Sequence, residues 1–365
     1  MMPDTIDKLL TLFIDKGASD LYLTVGAPPM LRIEDRMEPC SAVKLTQEHV
    51  ESILKELLSQ EVIEEFASTL EFNTAINWKD QARFRINVFQ QQQYTGLVLR
   101  RIRTDIPTTE ELNLPSIYND LVMEKRGLIL VVGPTSAGKS TSLAAMLEYR
   151  NIHGSGHIIT IEDPVEFLHT HRNCLVTQRD VGIDTYSFGI GLKNALRQTP
   201  DVIVIGEIRD RETMEHAIVF SETGHLCLAT LHSNNSHQAV ERIINFFPEE
   251  KHAQILLNLS FNLKAILSQR LVRNKTDTRN VAVEVMLNQG LITNLIREGR
   301  INEIRECIEK GHASGMCTFD QAMFELYIKG AISAEVAAGE SDNPANVKLA
   351  IKQYEMTNRM PRRLT

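Results

Sequence analysis

The spacing of apolar positions changes several times near the start of the chain. Residues 4–16 carry apolar side chains at the i, i+3, i+4, i+7 spacing that is typical of an amphipathic helix. Residues 20–33 (DLYLTVGAPPMLRI) predict two strands around a Pro-Pro turn, and residues 46–66 predict further helix. Residues 83–89 alternate between apolar and polar side chains, and another strand follows at 95–102. This mixture predicts a small α+β domain.

Four short apolar runs follow the stretch 104–115, whose prolines predict a linker. The runs are residues 128–132, 157–161, 202–205 and 226–231. Consecutive apolar positions are typical of strands buried on both faces of a mostly parallel sheet, which predicts an α/β nucleotide-binding core. Beyond Pro248 the pattern predicts mainly helix, for example over residues 255–272. The residues after about 340 predict a polar tail that is poorly ordered at its end.

Composition and charge narrow the class of protein. The chain has 365 residues, of which 43% are hydrophobic and 24% charged, as in ordinary soluble globular proteins. The N-terminus lacks a basic region and a cleavage site, so we expect no signal peptide. Five scattered cysteines without a CxxC pair predict free thiols in a reducing cytosol. A net charge of −8 disfavours a broad grip on nucleic acid or anionic lipid, although Arg100, Arg101 and Arg103 form a local basic patch.

The clearest chemical motif is a phosphate-binding loop, GPTSAGKST, which matches G-x-x-x-x-G-K-[ST]. It follows the apolar run 128–132 and precedes a segment with a helical apolar face, which is the context that the motif requires. Backbone N–H groups would surround phosphate oxygens, Lys139 would reach the β- and γ-phosphates, and the Ser140 hydroxyl would ligate Mg²⁺. A chance glycine-rich turn is the alternative, and the flanking elements disfavour it. The predicted loop residues are Gly133, Pro134, Thr135, Ser136, Ala137, Gly138, Lys139, Ser140 and Thr141.

An acidic pair, Glu162 and Asp163, follows the run 157–161, and Pro164 stops the strand there. The carboxyl end of a buried strand is where α/β sheets place their ligands. Glu162 is therefore a candidate general base that polarises the attacking water. The alternative is a helix-capping or solvated acid.

Two further candidates follow later apolar runs. Glu207 comes after 202–205, as in a Walker B strand, and would hold Mg²⁺ directly or through water. An acidic residue after a strand is common and is weak evidence by itself. The metal-binding interpretation of Glu207 depends on its position after the phosphate loop along the chain. His232 follows the run 226–231 and would sense the γ-phosphate or link the site to a neighbouring subunit. A single histidine at a strand end is, however, more often structural.

In order along the chain, four segments resemble the nucleotide-site boxes of the secretion ATPase superfamily. They are GPTSAGKST (Walker A), ITIEDPVEF (aspartate box), TPDVIVIGEIRDRET (an atypical Walker B) and TGHLCLATLHS (histidine box). The resemblance spans roughly residues 5–335. Within the superfamily the chain is similar to the type IV pilus retraction ATPases, the PilT/PilU family, and more to its PilU branch. Pilus-extension and type II secretion ATPases usually carry a long extra N-terminal region and a tetracysteine zinc element, neither of which fits this sequence.

The resemblance implies an α/β fold in which a PAS-like α+β domain precedes a RecA-like P-loop ATPase core. The expected parts are the PAS-like domain at 1–103, a linker at 104–115, the core at 116–247, and a mostly helical C-terminal region with a polar tail at 248–365. ATP and Mg²⁺ are the implied cofactors. Glu162, Lys139 and His232 take the catalytic roles, and Ser140 and Glu207 hold the metal ion. Arginines of the N-terminal domain approach the nucleotide, and the sequence pattern does not choose among Arg83, Arg85, Arg100, Arg101 and Arg103.

The family also implies a homohexamer in the cytoplasm, peripheral at the inner membrane. Expected partners are an inner-membrane pilus platform protein and a paralogous retraction ATPase, and no nucleic acid. Our leading hypothesis is a motor subunit that hydrolyses ATP to retract pili. The second is an accessory ring subunit that hydrolyses slowly and acts through a separate motor. A RecA-like nucleic-acid motor is disfavoured by the acidic balance and by the lack of basic residues interleaved with aromatics.

Two departures from the family favour the accessory hypothesis. Ser136 and Ala137 stand where the family loop usually has Gly-Ser. If residue 136 needs a positive φ, a serine there is strained by about 1–2 kcal/mol. The segment 292–304 resembles one that retraction motors carry near their C-terminus, and here the chain continues well past it.

Overall fold

The computed structural model divides the chain into two compact units. The described residues are 6–33, 36–79, 82–273 and 279–359. Unit 1 comprises Met1–Asp105, Val165–Leu168 and Gly182–Tyr186, and unit 2 comprises Ile106–Pro164, His169–Val181 and Ser187–Thr365. None of the helices in these described ranges combines the length and the apolar character needed to cross a membrane.

Unit 1 is a six-stranded antiparallel sheet with three helices, and its strand order is β3-β2-β1-β6-β5-β4. Its elements are α1 (Ile6–Asp15), β1 (Asp20–Thr24), β2 (Met30–Ile33), β3 (Arg36–Pro39), α2 (Gln47–Leu57), α3 (Gln60–Thr69), β4 (Glu71–Trp78), β5 (Ala82–Gln91) and β6 (Tyr94–Ile102). The predicted apolar face of α1 is buried, and the rings of Phe13 and Phe84 stack with centroids 5.1 Å apart. On β5 buried side chains alternate with half-buried ones, as the sequence pattern predicts.

Unit 2 is built on a seven-stranded sheet with the order β13-β12-β7-β11-β10-β8-β9. Its elements are α4 (Ile117–Val122), β7 (Gly127–Val132), α5 (Lys139–His153), β8 (Gly156–Glu162), β9 (Cys174–Asp180), α6 (Phe188–Ala195), β10 (Val202–Ile205), α7 (Arg211–Glu222), β11 (Leu226–Leu231), α8 (Ser236–Asn245), α9 (His252–Asn262), β12 (Leu263–Arg273), β13 (Arg279–Leu287), α10 (Leu291–Glu298), α11 (Ile304–Lys310), α12 (Phe319–Ile328), α13 (Ala334–Gly339) and α14 (Pro344–Arg359). Every pair of neighbouring strands is parallel except β12 with β13. All positions of β7, β10 and β11 are buried, which confirms the interpretation of their continuous apolar runs.

The predicted helix over residues 255–272 is wrong for its second half. Helix α9 ends at Asn262, and Leu263–Arg273 forms strand β12 beside β7. A short apolar run is compatible with a buried helix and with a buried strand, so its periodicity does not decide between them. The open edge of β7 decides, because pairing there satisfies the backbone N–H and C=O groups of the run.

The segment after residue 340, predicted as a polar tail, forms a helix over much of its length. Helix α14 spans Pro344–Arg359, and its side chains Val347 and Ile351 are buried one helical turn apart. They join a cluster with Val272 of β12 and Phe319 of α12, so the tail is packed onto the edge of the sheet. The end of the expected tail, residues 360–365, lies outside the described residues.

Candidate nucleotide-binding site

The phosphate loop connects β7 to α5, as the motif predicts, and three of its residues have positive φ. Gly133 has φ 157° and Gly138, at the N-terminus of α5, has φ 84°. A Cβ atom on Gly133 would lie 2.5 Å from the Gln269 carbonyl oxygen, so only glycine fits against β12 at that point. The conformation of the loop is therefore determined at its start by close packing of Gly133 against β12 and at its end by the left-handed turn of Gly138 into α5.

Ser136 is the third residue of the loop with positive φ, at 63°. The left-handed conformation costs a non-glycine residue about 1–2 kcal/mol. The condition raised by the sequence, that residue 136 needs a positive φ, is thus met. Next to it, the buried Ala137 donates its N–H to the Pro134 carbonyl at 3.2 Å, which closes the turn.

Lys139 is the first residue of α5 and is only 8% exposed. Its ammonium donates to the carbonyl oxygens of Gly133 and Pro134, each at 2.9 Å. Nζ also lies 3.4 Å from Nδ1 of His232, which comes directly after β11. Lys139 therefore lies folded back over its own loop and in contact with the predicted histidine.

Glu207 joins His232 to two further charged residues. Its Oε1 lies 3.0 Å from His232 Nε2, and its Oε2 accepts from Arg209 Nε at 2.9 Å. A second nitrogen of Arg209 lies 3.4 Å from Asp163 Oδ2. The hydrogen bond with Glu207 raises the pKa of Arg209 above its usual value. Arg209 is a site residue that the sequence motifs did not predict, although it stands only two positions after Glu207.

Strand order explains why these residues meet. Strands β7, β11, β10 and β8 are neighbours in that order and run parallel, so their carboxyl ends share one edge of the sheet. The phosphate loop, His232, Glu207 and Glu162 follow these four ends. Glu162 ends β8, and the Thr160 hydroxyl donates to its Oε1 at 2.7 Å. The predicted cluster at the carboxyl ends of the strands is thus present.

The donor set suits a magnesium ion held mainly by phosphates and water. Ser140 is the second residue of α5 and is half-buried, and Glu207 supplies a carboxylate from just beyond the carboxyl end of β10. In the described ranges no three His, Cys, Asp or Glu side chains group into a metal cage. Mg²⁺ is commonly bound by one or two carboxylates with substrate phosphates, so such a cage is not needed. The roles of Ser140 and Glu207 as metal ligands stay a prediction.

A cavity of about 730 Å³ opens beside the phosphate loop within unit 2. Ala137, Gly138 and Thr141 line one side of it, and β12 and β13 contribute Leu271 and Val281. Its far wall comes from residues after α11, including Met316, Cys317 and Leu326. This cavity could not be predicted from the sequence, because its lining comes from segments that are far apart along the chain.

The predicted arginines of unit 1 lie on opposite faces of its sheet. Arg85 is paired in register with Arg100, and Phe84 is paired with Arg101, so Arg101 lies on the face that carries the core. Arg83 shares the face of Arg85. Arg100 donates to the buried Asp20 at 2.7 Å, and this hydrogen bond raises the pKa of Arg100.

Arg101 and Arg103 also make hydrogen bonds within unit 1. Arg101 donates to the Ile14 carbonyl at 3.4 Å, and the backbone N–H of Arg103 donates to the Glu166 carbonyl at 3.2 Å. A nucleotide contact by any of the five arginines stays a prediction.

Comparison with known proteins identifies the family. The family model described as type II/IV secretion system protein matches residues 3–343. The chain belongs to this family. It is 49% identical to the type IV pilus ATPase PilU of Pseudomonas aeruginosa over 347 residues, which cover 95% of this chain and 91% of that protein. It is 38% identical to the type IV pilus retraction ATPase PilT of the same organism, over 93% of this chain and 99% of that protein.

Among solved structures, the pilus retraction motor PilT with bound ADP matches with a TM-score of 0.87 and 37% identity. The match covers 94% of this chain and 98% of that chain. The expected α/β fold with a P-loop core, the secretion ATPase family and the enzyme class, an ATPase, are confirmed.

Proposed function

We propose that this chain hydrolyses ATP with Mg²⁺ and that the hydrolysis drives or assists type IV pilus retraction. The observation that carries the proposal is the group formed by Lys139, His232 and Glu207 at the mouth of the phosphate loop. The relatives support the proposal, because the chain is similar over nearly its whole length to PilU, a type IV pilus ATPase, and to PilT, a type IV pilus retraction ATPase.

The reaction is an in-line attack of water on the γ-phosphate. Glu162 accepts the water proton as the new bond to phosphorus forms and the bond to the ADP oxygen breaks. Lys139 exchanges its bonds to the Gly133 and Pro134 carbonyls for the β- and γ-phosphate oxygens, where its charge stabilises the transferring group. A bound Mg²⁺ neutralises phosphate charge, and Ser140 and Glu207 are the residues that would hold it.

The cavity beside the loop suits the base and ribose of the nucleotide. It adjoins the loop at Gly138 and Thr141, and Leu271 and Val281 offer apolar surface for a base. A nucleotide whose phosphates are bound by the loop can therefore place its base in this cavity, and the sheet does not have to move.

Turnover by site variants tests the proposal. Purified full-length protein is assayed for Mg²⁺-dependent phosphate release beside Lys139→Ala and Glu162→Gln. We expect Lys139→Ala to abolish turnover and Glu162→Gln to bind ATP without hydrolysing it. Lys193→Ala and Glu222→Gln, which change exposed residues on other helices, are matched controls. Undiminished Mg²⁺-dependent turnover by Lys139→Ala would contradict the proposal.

An accessory ring subunit is the second candidate, and the strained Ser136 together with the similarity to PilU favours it. In that case the wild type binds ATP but turns over as slowly as Glu162→Gln, and adding a paralogous retraction motor raises the rate. We place the protein in the cytoplasm at the inner membrane as a homohexamer that contacts a pilus platform protein. Mass measurement by light scattering, with and without nucleotide, tests the assembly state.

A further inference from the structure

The hydroxyl group of Thr160 is buried near the carboxyl end of β8. The residue is 0% exposed, and it lies on the face of β8 that carries Ile158. Helix α5 packs on this face, since Ile158 shares one apolar cluster with Leu143 and Met146 of that helix. A threonine thus occupies a position whose surroundings favour an aliphatic side chain.

The neighbours of Thr160 in register differ on its two sides. On β10 its partner is Val204, which is 1% exposed and belongs to the same apolar cluster, and on β9 its partner is the half-buried Gln178. Valine has the shape of threonine without the hydroxyl, so packing alone gives no reason for threonine here. A buried hydroxyl group is disfavoured unless it is hydrogen-bonded, so the partner of the Thr160 hydroxyl explains why threonine is tolerated here.

The hydroxyl binds the carboxylate at the end of its own strand. Thr160 Oγ1 donates to Glu162 Oε1 at 2.7 Å, and the two residues share a face because they are two positions apart. A bond of this length to a carboxylate is a strong, charge-assisted hydrogen bond. It also lies at the carboxyl end of β8, on the same side of the sheet as the phosphate loop that follows β7.

The backbone of Glu162 is held from the other side by Gly206. A Cβ atom on Gly206 would lie 2.9 Å from the Glu162 Cα atom. The backbones of β8 and β10 therefore come so close at this point that only glycine fits at position 206. The Gly206 N–H donates to the Ile161 carbonyl at 2.8 Å. With its backbone fixed in this way, the orientation of the Glu162 carboxylate depends on the partners of its side chain.

We propose that Thr160 is a positioning residue for ATP hydrolysis, whose hydroxyl holds Glu162 Oε1 in the orientation needed to take a proton from the attacking water. This inference rests on the proposed role of Glu162 as the general base. Thr160 exchanges no proton itself. The water proton goes to the Glu162 carboxylate while the water oxygen bonds to phosphorus and ADP leaves. The hydrogen bond keeps the carboxylate in place and favours its charged form, which is the form that accepts the proton.

The test compares Thr160→Val and Thr160→Ser in the full-length protein, with kcat, KM and the pH dependence of kcat as readouts. Valine removes only the hydroxyl and keeps the shape, and serine keeps the hydroxyl. We expect Thr160→Val to lower kcat by about 10- to 100-fold, the range for losing a hydrogen bond to a charged group. KM should change less than about twofold, and the acidic limb of the kcat profile should move to higher pH because the charged carboxylate has lost a donor. Thr160→Ser should restore most of kcat and the position of the limb.

Two controls separate positioning from packing. Thr177→Val removes a hydroxyl from the adjacent strand β9, where it contacts His157 at 2.9 Å, and should leave kcat unchanged. If Thr160 acts only through Glu162, adding Thr160→Val to the non-hydrolysing Glu162→Gln variant should leave its ATP affinity unchanged. Equal losses in the valine and serine variants with an unmoved acidic limb would overturn the inference, because they would indicate a packing effect.

Two other outcomes distinguish this inference from the proposed function. If Glu162→Gln is inactive and Thr160→Val is as fast as wild type, the base assignment stands and the role of Thr160 is wrong. If Glu162→Gln itself keeps wild-type turnover, the assignment of Glu162 as the base and the role of Thr160 are both wrong.

Discussion

The Nε2 atom of His232 lies 3.0 Å from Oε1 of Glu207. The other ring nitrogen of His232 faces the Lys139 ammonium at 3.4 Å, and an ammonium group can only donate. In the tautomer in which Nδ1 accepts from Lys139, the proton is on Nε2 and is directed at Glu207. The imidazole ring thus connects the lysine of the phosphate loop with the carboxylate that follows β10.

Replacing His232 should remove the contact that connects Lys139 with Glu207. We expect His232→Ala to lower turnover about 10- to 100-fold, because one hydrogen bond to a charged group is lost on each side. His232→Gln keeps a donor near the position of Nε2 and should recover part of the rate. Steady-state turnover with a separate measurement of nucleotide affinity gives the answer. Wild-type turnover by the alanine variant would show that the contact has no role in the chemistry.

Ser136→Gly should relieve backbone strain in the phosphate loop. The left-handed φ costs serine about 1–2 kcal/mol, and the added freedom of glycine in the unfolded chain takes back about 0.5–1 kcal/mol. The net gain of about 0–1.5 kcal/mol should raise the thermal midpoint by up to roughly 3 °C. Ala137→Gly is the matched control. It should lower the midpoint, because Ala137 is buried and its Cβ packs close to Gly133.

Nucleotide affinity of the same variants tests whether strain is linked to binding. If the loop must keep this conformation to bind phosphates, Ser136→Gly should change the affinity for ATP as well as the midpoint. A lower thermal midpoint for Ser136→Gly would argue against the strain.

Gly206→Ala should disturb Glu162 without touching the phosphate loop. The new methyl group would meet the Glu162 Cα atom at 2.9 Å, and backbone cannot yield as a flexible side chain can. We expect turnover to fall at least about tenfold, since small misplacements of a catalytic group cost about that much or more. ATP binding should persist. Gly339→Ala, where an added methyl group meets no atom within 4 Å, is the control that should leave turnover unchanged.

Filling the cavity beside the loop should weaken nucleotide binding selectively. Val281→Phe adds bulk to a half-buried lining residue, so we expect the KM for ATP to rise about tenfold if the base occupies this space. The kcat value should change little, because Val281 is not part of the Lys139–His232–Glu207 group. Val219→Phe, at an exposed position of α7, is the control. An unchanged KM in the Val281 variant would place the base elsewhere.

Glu284 predicts a pH dependence of stability. It is 3% exposed, and burial raises the pKa of its carboxyl above the ordinary 4.5, although hydrogen bonds from Ser236 oppose the shift. The folded state therefore holds this proton more tightly than the unfolded state. The related stabilisation is present below pH 4.5 and is lost as the pH rises through the folded pKa.

A neutral replacement should remove this dependence. The thermal midpoint of Glu284→Gln, relative to wild type, should be higher at pH 8 than at pH 5, because only the wild type carries a buried charge at the higher pH. Glu222→Gln, at an exposed position, should show no such trend. Equal differences at both pH values would contradict the raised pKa.

The sequence alone determined the elements whose signal is local. The continuous apolar runs of β10 and β11 admit few other structures at their length, and the alternation on β5 directly reports one buried face. The phosphate loop was predictable because its glycines and its lysine must stand at fixed spacings between a strand and a helix. Even the positive φ of Ser136 could be stated as a condition from the motif.

Tertiary structure decided whatever depends on a distant partner. Leu263–Arg273 became a strand because the edge of β7 was open to it, and the polar C-terminal segment became helix α14 because the sheet offered a surface for Val347 and Ile351. Lys139 meets His232 only because β11 lies next to β7, although it comes much later along the chain. Strand order is set by the total burial and hydrogen bonding of the whole sheet, and no single segment carries that information.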